Sequence, residues 1–258
     1  AAGFTTIELG SDLGGSIRLP SSFCGLYGLK TTFRSLNITE GDGPDTTSNK
    51  KRFALNTAGP MARTAEDLES AWLVLRDAKP DTRFQQPIKW KEPSGRKINQ
   101  YRLAWVDDWK SGNSASKAGN MVKEKLSQLI DSLKQHGAFV TNTAPDTYNE
   151  MMRSYFICLG LLAGEGLPAD IRKSINESMK PWDDGAGTLT PFYETMDNPD
   201  DATWIKWQED NKILKEKWAS FFKQYDFLIC PVTYGPAFKK CPKGTPINID
   251  GATVSYFN

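Results

Sequence analysis

Histidine is nearly absent from these 258 residues: His136 stands alone. A Ser-His-Asp relay or a histidine-rich metal centre would have to be built around that one side chain. It lies in Lys134-Gln135-His136-Gly137, at the predicted carboxyl end of an amphipathic helix, where an imidazolium favours the helix dipole and faces water. Cysteine is also scarce. Cys24, Cys158, Cys230 and Cys241 form no C-x-x-C pair, and with a single histidine they do not complete a zinc site, so they read as reduced core residues. No charge dominates: 32 Lys+Arg face 31 Asp+Glu, a formal net charge of +1, and no global field recruits nucleic acid or an anionic membrane. No apolar run approaches the ~20 residues of a membrane span, and the amino terminus lacks a basic segment followed by an apolar stretch. A cytoplasmic protein without a membrane span, a metal or an organic cofactor is the expectation that these absences leave. Internal repeats and low-complexity tracts are missing too. The length fits one large domain or two small ones, and one α/β domain over 1–258 is the simpler reading.

What is present has a readable order. Phe4 to Leu9 is strand-like, Ser11 to Ser16 reads as loop, and Pro20 is placed to open a short helix. The stretch 41–52 is polar and glycine-rich, as in a surface loop. Thr64 followed by Asp67 resembles a capping box, with Leu68, Ala71, Trp72 and Leu75 then recurring at helical spacing. After a polar connection over 80–100, Tyr101 to Val106 reads as a buried strand. A helix follows around Lys117 to His136, with Val122, Leu126, Leu129, Ile130 and Leu133 on one face; Gly137 closes it, and Ala138 to Asn142 forms the next strand. Strand, helix and strand in succession predict a βαβ unit and a parallel sheet. Asp201 to Gln224 predicts a long helix with Trp207, Leu214, Trp218 and Phe221 on one face, and Phe227 to Cys230 a buried strand stopped by Pro231. Asn37-Ile38-Thr39 and Asn176-Glu177-Ser178 fit a glycosylation sequon, a pattern too short to carry weight.

The chemistry concentrates in Gly10 to Pro20, GSDLGGSIRLP. Glycines beside a serine let backbone N–H groups turn inward toward a small anionic centre, as acyl transfer requires. From the glycines alone a second reading stands beside it, a tight strand-to-helix turn in which Ser16 caps a helix. Other serine patterns fail on the letters. Gly14-Gly15-Ser16-Ile17-Arg18 has arginine where the nucleophile elbow G-x-S-x-G needs glycine. Lys30 follows leucine rather than the glycine of a phosphate-binding loop. The S-x-x-K pattern occurs at Ser48/Lys51, Ser94/Lys97, Ser114/Lys117 and Ser220/Lys223 with no supporting S-D-N or K-T-G. With His136 at a helix end, Ser16 as a nucleophile needs a base that is not histidine.

Gly10 to Lys30, GSDLGGSIRLPSSFCGLYGLK, closely resembles the central motif of the amidase signature family, serine amidohydrolases with a Ser-cis-Ser-Lys triad. Leu55 to Asp67 (LNTAGPMARTAED) is similar to that family's G-P-M-A-R-T-x-E-D helix entry, Tyr101 to Val106 with the helix and strand after it to its following βαβ segment, and Lys217 to Val232 to its later helix and strand. The resemblance implies a mixed, largely parallel central sheet covered by helices on both faces. It implies Ser16 as the acyl-enzyme nucleophile, the backbone N–H groups of Leu13, Gly14, Gly15 and Ser16 as the oxyanion hole, and Asp12 with Arg18 as the charged brace of the loop, against the plainer reading of a surface ion pair. Cys24 matches a buried structural position, and Gly59 to Asp67 a packing element.

In that family the catalytic lysine and the relaying serine precede the central motif, and a lysine serves as base only when burial depresses its pKa. Here fifteen residues precede Ser16, so the resemblance implies an internal portion of a longer amidase, requiring the rest of its own polypeptide and inactive alone. The stretch Thr31 to Arg52 does not resemble the branch that amidates tRNA-bound glutamate. A general amidase acting on a small aryl, acyl or fatty amide is the expected activity, with Tyr155, Phe156, Leu159, Leu161 and Leu162 forming either an acyl pocket or plain core. No nucleic-acid partner is expected, and a homodimer is left open. Two other classes are a tRNA-dependent amidotransferase subunit, with a glutaminase partner, and a catalytically inactive binding protein on the same fold.

Overall fold

The computed structural model describes residues 2–33, 35–36, 55–77, 95–109, 118–180, 189–242 and 245–255, in two units, Ala1–Glu92 and Pro93–Asn258. The polar stretch 41–52, the sequon at 37–39 and most of the connection over 80–100 lie outside the described residues.

The first unit is built on a three-stranded antiparallel sheet of order β1-β3-β2, made of β1 (Ile7–Asp12), β2 (Tyr27–Gly28) and β3 (Thr57–Ala62). β1 starts and ends later than the apolar run suggests. Gly10 pairs with Gly59, and Asp12 is drawn into the ladder opposite Thr57, so the strand runs through the glycine instead of stopping there. β3 contains Pro60, which lacks a donor but accepts the Leu29 N–H at 3.0 Å. Read as a helix entry, the segment is thus a central strand first, and the helix begins only at α2 (Ala65–Asp77). Thr64 Oγ1 accepts the Asp67 N–H at 3.0 Å, and Glu66 and Asp67 complement the first turn of α2 while Arg76 complements the last. The short α1 (Arg18–Cys24) ends on Gly25, left-handed at φ 65°, whose N–H bonds back to Ser22.

The second unit carries the parallel sheet that the strand-helix-strand pattern predicts. β4 (Arg102–Trp105) lies between β5 (Phe139–Asn142) and β6 (Phe227–Ile229), parallel to both. Between β4 and β5 runs α3 (Asn120–Gln135), burying Leu126 and Ile130 while Leu103 and Ala104 form the core of the sheet. Leu129, expected on the same face, is 48% exposed: at three and one residues from the buried pair it falls off their stripe. Gly137, at φ 84°, follows the helix as expected.

A helical cluster completes this unit: α4 (Tyr148–Gly164), α5 (Ala169–Met179), α6 (Thr190–Asp197) and α7 (Asp201–Phe221). Gly160 and Gly164 let α4 approach α6 until any Cβ there would meet Thr195 or Met196. The apolar stretch Tyr155 to Leu162 is thus part of a packed helix pair. Trp207 Nε1 donates to the Ser154 carbonyl at 2.9 Å, and Leu214, Trp218 and Phe221 share its less exposed side of α7. Asn176 of the second sequon is buried, its amide donating to the Tyr193 carbonyl and to Asp197. β7 (Pro246–Ile249) and β8 (Ala252–Ser255) form a hairpin turned by Asp250 and Gly251, both at positive φ.

Candidate active site

The GSDLGGSIRLP segment leaves β1 at Asp12, turns through Leu13 to Ile17 and enters α1. The carboxylate of Asp12 organises this turn. Fully buried, it accepts the Gly15 N–H at 2.8 Å through Oδ1, and the N–H groups of Ile17 and Arg18 at 3.2 and 3.3 Å through Oδ2. The Arg18 guanidinium closes the ring with a two-pronged contact, Nε to Oδ2 and Nη2 to Oδ1, both 2.9 Å. Burial on its own would raise the pKa of such a carboxyl, but the Arg18 bond, the Gly15 N–H and the guanidinium charge outweigh it and hold the pKa at about 2. This is no surface ion pair: Arg18 is half-exposed, whereas Asp12 is sealed beneath it.

Gly15 fits this geometry because its φ is +119°, and an added Cβ would stand 2.8 Å from Leu19 Cδ1. Its carbonyl accepts the Leu19 N–H at 2.8 Å. The N-cap of α1 is Ile17, without a side-chain cap, so the reading of Ser16 as a helix cap is set aside: Asp12, several residues upstream, satisfies the first N–H groups instead. Ile17 is fully buried, seated where Cβ atoms at Gly10, Gly28 and Gly59 would otherwise crowd it. With its successor fixed, Ser16 is held at the crest of the turn, exposed.

Asp12, Gly15, Ile17 and Arg18 are therefore brought together around one carboxylate, with Ser16 outside the ring. Of the four N–H groups expected to face an anion, that of Gly15 is engaged by Asp12, while those of Leu13, Gly14 and Ser16 make no hydrogen bond to a described residue. Cys24, expected to be buried, is exposed, because it ends a seven-residue helix whose buried residue is Ser21. Cys230 is exposed as well and Cys241 half-buried; only Cys158 is a core cysteine, its thiol pushed up to about 12 by burial. His136 caps α3, exposed, with Nδ1 donating to the Ser132 carbonyl at 2.8 Å. No cluster of metal-binding side chains occurs among the described residues, and no helix among them is long and apolar enough to cross a membrane. The cap that Asp12 supplies escapes sequence reading because it bridges five and six residues, beyond the spacing of local capping patterns.

Comparison with known proteins bears on this loop and on the fold around it. The model of a family described as Amidase matches residues 1–254. A glutamyl-tRNA(Gln) amidotransferase subunit of Deinococcus radiodurans is 26% identical, over 98% of this chain and 54% of its own length. The chain spans about half the length of the curated relatives it matches. Among solved structures, a bacterial aryl acylamidase superposes with a TM-score of 0.66 at 14% identity, covering 96% of this chain and 51% of its own. A fatty acid amide hydrolase superposes with a TM-score of 0.64 at 20% identity, covering 90% and 40%.

Proposed function

Because the chain belongs to the amidase family, matched over residues 1–254, we propose that it is a serine amidohydrolase whose nucleophile is Ser16. The Ser16 Oγ attacks the carbonyl carbon of a carboxylic amide, and its proton passes to a base. The tetrahedral oxyanion then collapses with loss of the amine, which takes a proton, and water hydrolyses the remaining ester. The N–H groups of Leu13, Gly14 and Ser16 receive the oxyanion, with that of Gly15 held by Asp12 as the pivot of the turn; each such donor is worth on the order of 10²–10³ in rate.

One observation supports this reading: a sealed carboxylate gathers the loop, while Ser16 is exposed and the N–H groups of Leu13, Gly14 and Ser16 make no hydrogen bond to a described residue. His136, bound to its own helix, supplies no base. In the amidase signature resemblance the base is a lysine, relayed through a serine, that precedes the motif, and activity is proposed for the full gene product. A general aryl or acyl amide is the proposed substrate, because Thr31 to Arg52 does not resemble the tRNA-dependent branch and the charge is balanced.

The Deinococcus relative favours a second reading, one component of a tRNA-dependent amidotransferase. A co-purifying partner and ammonia transfer from glutamine would identify it. The nucleophile is tested by Ser16→Ala in the full gene product, assayed on aryl acyl amides, aliphatic amides and glutamine. Loss of at least about a thousandfold in rate is expected, and unchanged hydrolysis would overturn the assignment.

A further inference from the structure

The second unit holds a groove that the proposed chemistry does not use. It lies between α4 and α7, each of which turns one stripe of residues, at three- and four-residue spacing, toward the other. From α4 come Arg153, Ser154 and Ile157, and from α7 come Trp207, Ile213 and Leu214. Two bridges tie the helices together beside them. Lys217 Nζ donates to both Glu150 carboxylate oxygens, at 2.7 and 2.8 Å, and Trp207 Nε1 donates to the Ser154 carbonyl at 2.9 Å and to its Oγ at 3.0 Å. Between the two bridges α4 advances from 150 to 154 and α7 from 217 back to 207, about 6 Å against about 15 Å. The helices do not lie flush along this stretch, and a cavity of about 230 Å³ is left between them.

Its floor is apolar and its rim is charged. Trp207 is buried and Leu214 half-buried, while Ile213 lines the cavity and is still 57% exposed. An aliphatic side chain left in water at a cavity is surface that a ligand can cover. Both carboxylates of the rim are already paired, Glu150 with Lys217 and Asp210 with Lys206. Arg153, exposed on the same rim, makes no hydrogen bond or ion pair to a described residue. The Ser154 hydroxyl accepts from Trp207 and donates to no described residue. Two free donors on successive residues thus stand over an apolar floor.

We infer that this groove binds a small carboxylate whose apolar body is the size of one aromatic ring. The carboxylate accepts from the Arg153 guanidinium and the Ser154 hydroxyl, and the ring lies against Trp207, Ile213 and Leu214. The size follows from the volume: a cavity of about 150 Å³ lined by apolar side chains takes a benzene, and this one has room for a carboxylate as well. The sign follows from the guanidinium, which binds a carboxylate through two parallel hydrogen bonds. A cationic ligand would meet only carboxylates that lysines already hold. Cleavage of an aryl amide leaves an acid of this class, but the inference does not need Ser16 to be a nucleophile.

The probe is 3-phenylpropionate, titrated calorimetrically into the full gene product, with 3-phenylpropanol as its neutral counterpart. The acid should bind about tenfold or more tightly than the alcohol. Arg153→Met, at an exposed position, should weaken the acid by about tenfold and leave the alcohol unchanged, and Arg153→Lys should restore part of the loss. Ile213→Trp, which fills the groove, should weaken both ligands. Equal binding of acid and alcohol would overturn the inference. So would binding of the acid that survives both Arg153→Met and Ile213→Trp, since it would then sit elsewhere. Absence of binding at millimolar acid would overturn it too, the groove then being covered by protein or filled by water alone. Fluorophosphonate labelling keeps this separate from the reading of Ser16: binding in a chain that the probe does not label would keep the groove and remove the nucleophile, and labelling without binding would do the reverse.

Discussion

The Ser16 loop and the α4–α6 contact both bring glycines into close quarters, yet they are held by opposite means. In the loop, one buried carboxylate gathers three N–H groups and a guanidinium, and the glycines supply a left-handed turn and a seat for Ile17. Between the helices, Gly160 and Gly164 supply only proximity, and Thr195, Phe192 and Met196 fill the contact. The first arrangement is polar, directional and leaves a hydroxyl in solvent. The second is a packed surface in which nothing points outward for chemistry. A glycine pattern alone does not tell the two apart; the buried carboxylate does.

The sharpest way to break that contrast is Asp12→Ala. Removing the buried carboxylate takes the acceptor from the N–H groups of Gly15, Ile17 and Arg18, at a cost of about 1–3 kcal/mol for each that stays unpaired. Hydrogen exchange should accelerate across 13–19 and not across α4 and α6, and Ser16 should lose its reactivity with it. Protection left unchanged at 13–19 would mean that the carboxylate does not organise the turn.

Gly160→Val attacks the other region. A side chain there meets Thr195 and the Phe192 carbonyl, and overpacking of this kind costs about 1–3 kcal/mol. Exchange should rise in α4 and α6 while the reactivity of Ser16 is kept. Equal loss in both places would show that the two regions are coupled.

Acid gives the smallest effect. The folded pKa of Asp12, about 2, lies below its unfolded value near 4, so its contribution is complete above about pH 4 and fades as pH falls toward 2. Exchange protection at 13–19 should decline through that window, and in Asp12→Asn the pH-dependent part of the decline should vanish. Asp226 is also held at about 2 by the Arg102 backbone and side chain, so the comparison is made on the loop peptides rather than on a global melt.

Much of this architecture is legible in the letters and some is not, for physical reasons. β4, α3 and β5 follow from the apolar strand, helix and strand pattern, and α7 from its row of aromatics. Asp12 and Arg18 are legible as a brace only through the resemblance; five- and six-residue spacing carries no local signature. β3 is hidden by Gly59 and Pro60, in a stretch that reads as a helix entry until the chain at Leu29 is seen lying against them. The hairpin of β7 and β8 goes unread although Asp250-Gly251 is a strong turn signal. Cys24 reads as buried and is exposed, because burial at a short helix's last residue depends on what lies across from it.

The central claim, that the outer side of the Asp12 clamp presents a reactive serine, is tested most directly by treating the full gene product with a fluorophosphonate probe and mapping the adduct by peptide mass. The account predicts one adduct, on Ser16, absent from Ser16→Ala and strongly reduced in Asp12→Ala. An adduct on another residue, or equal labelling of the Ser16→Ala protein, would contradict it.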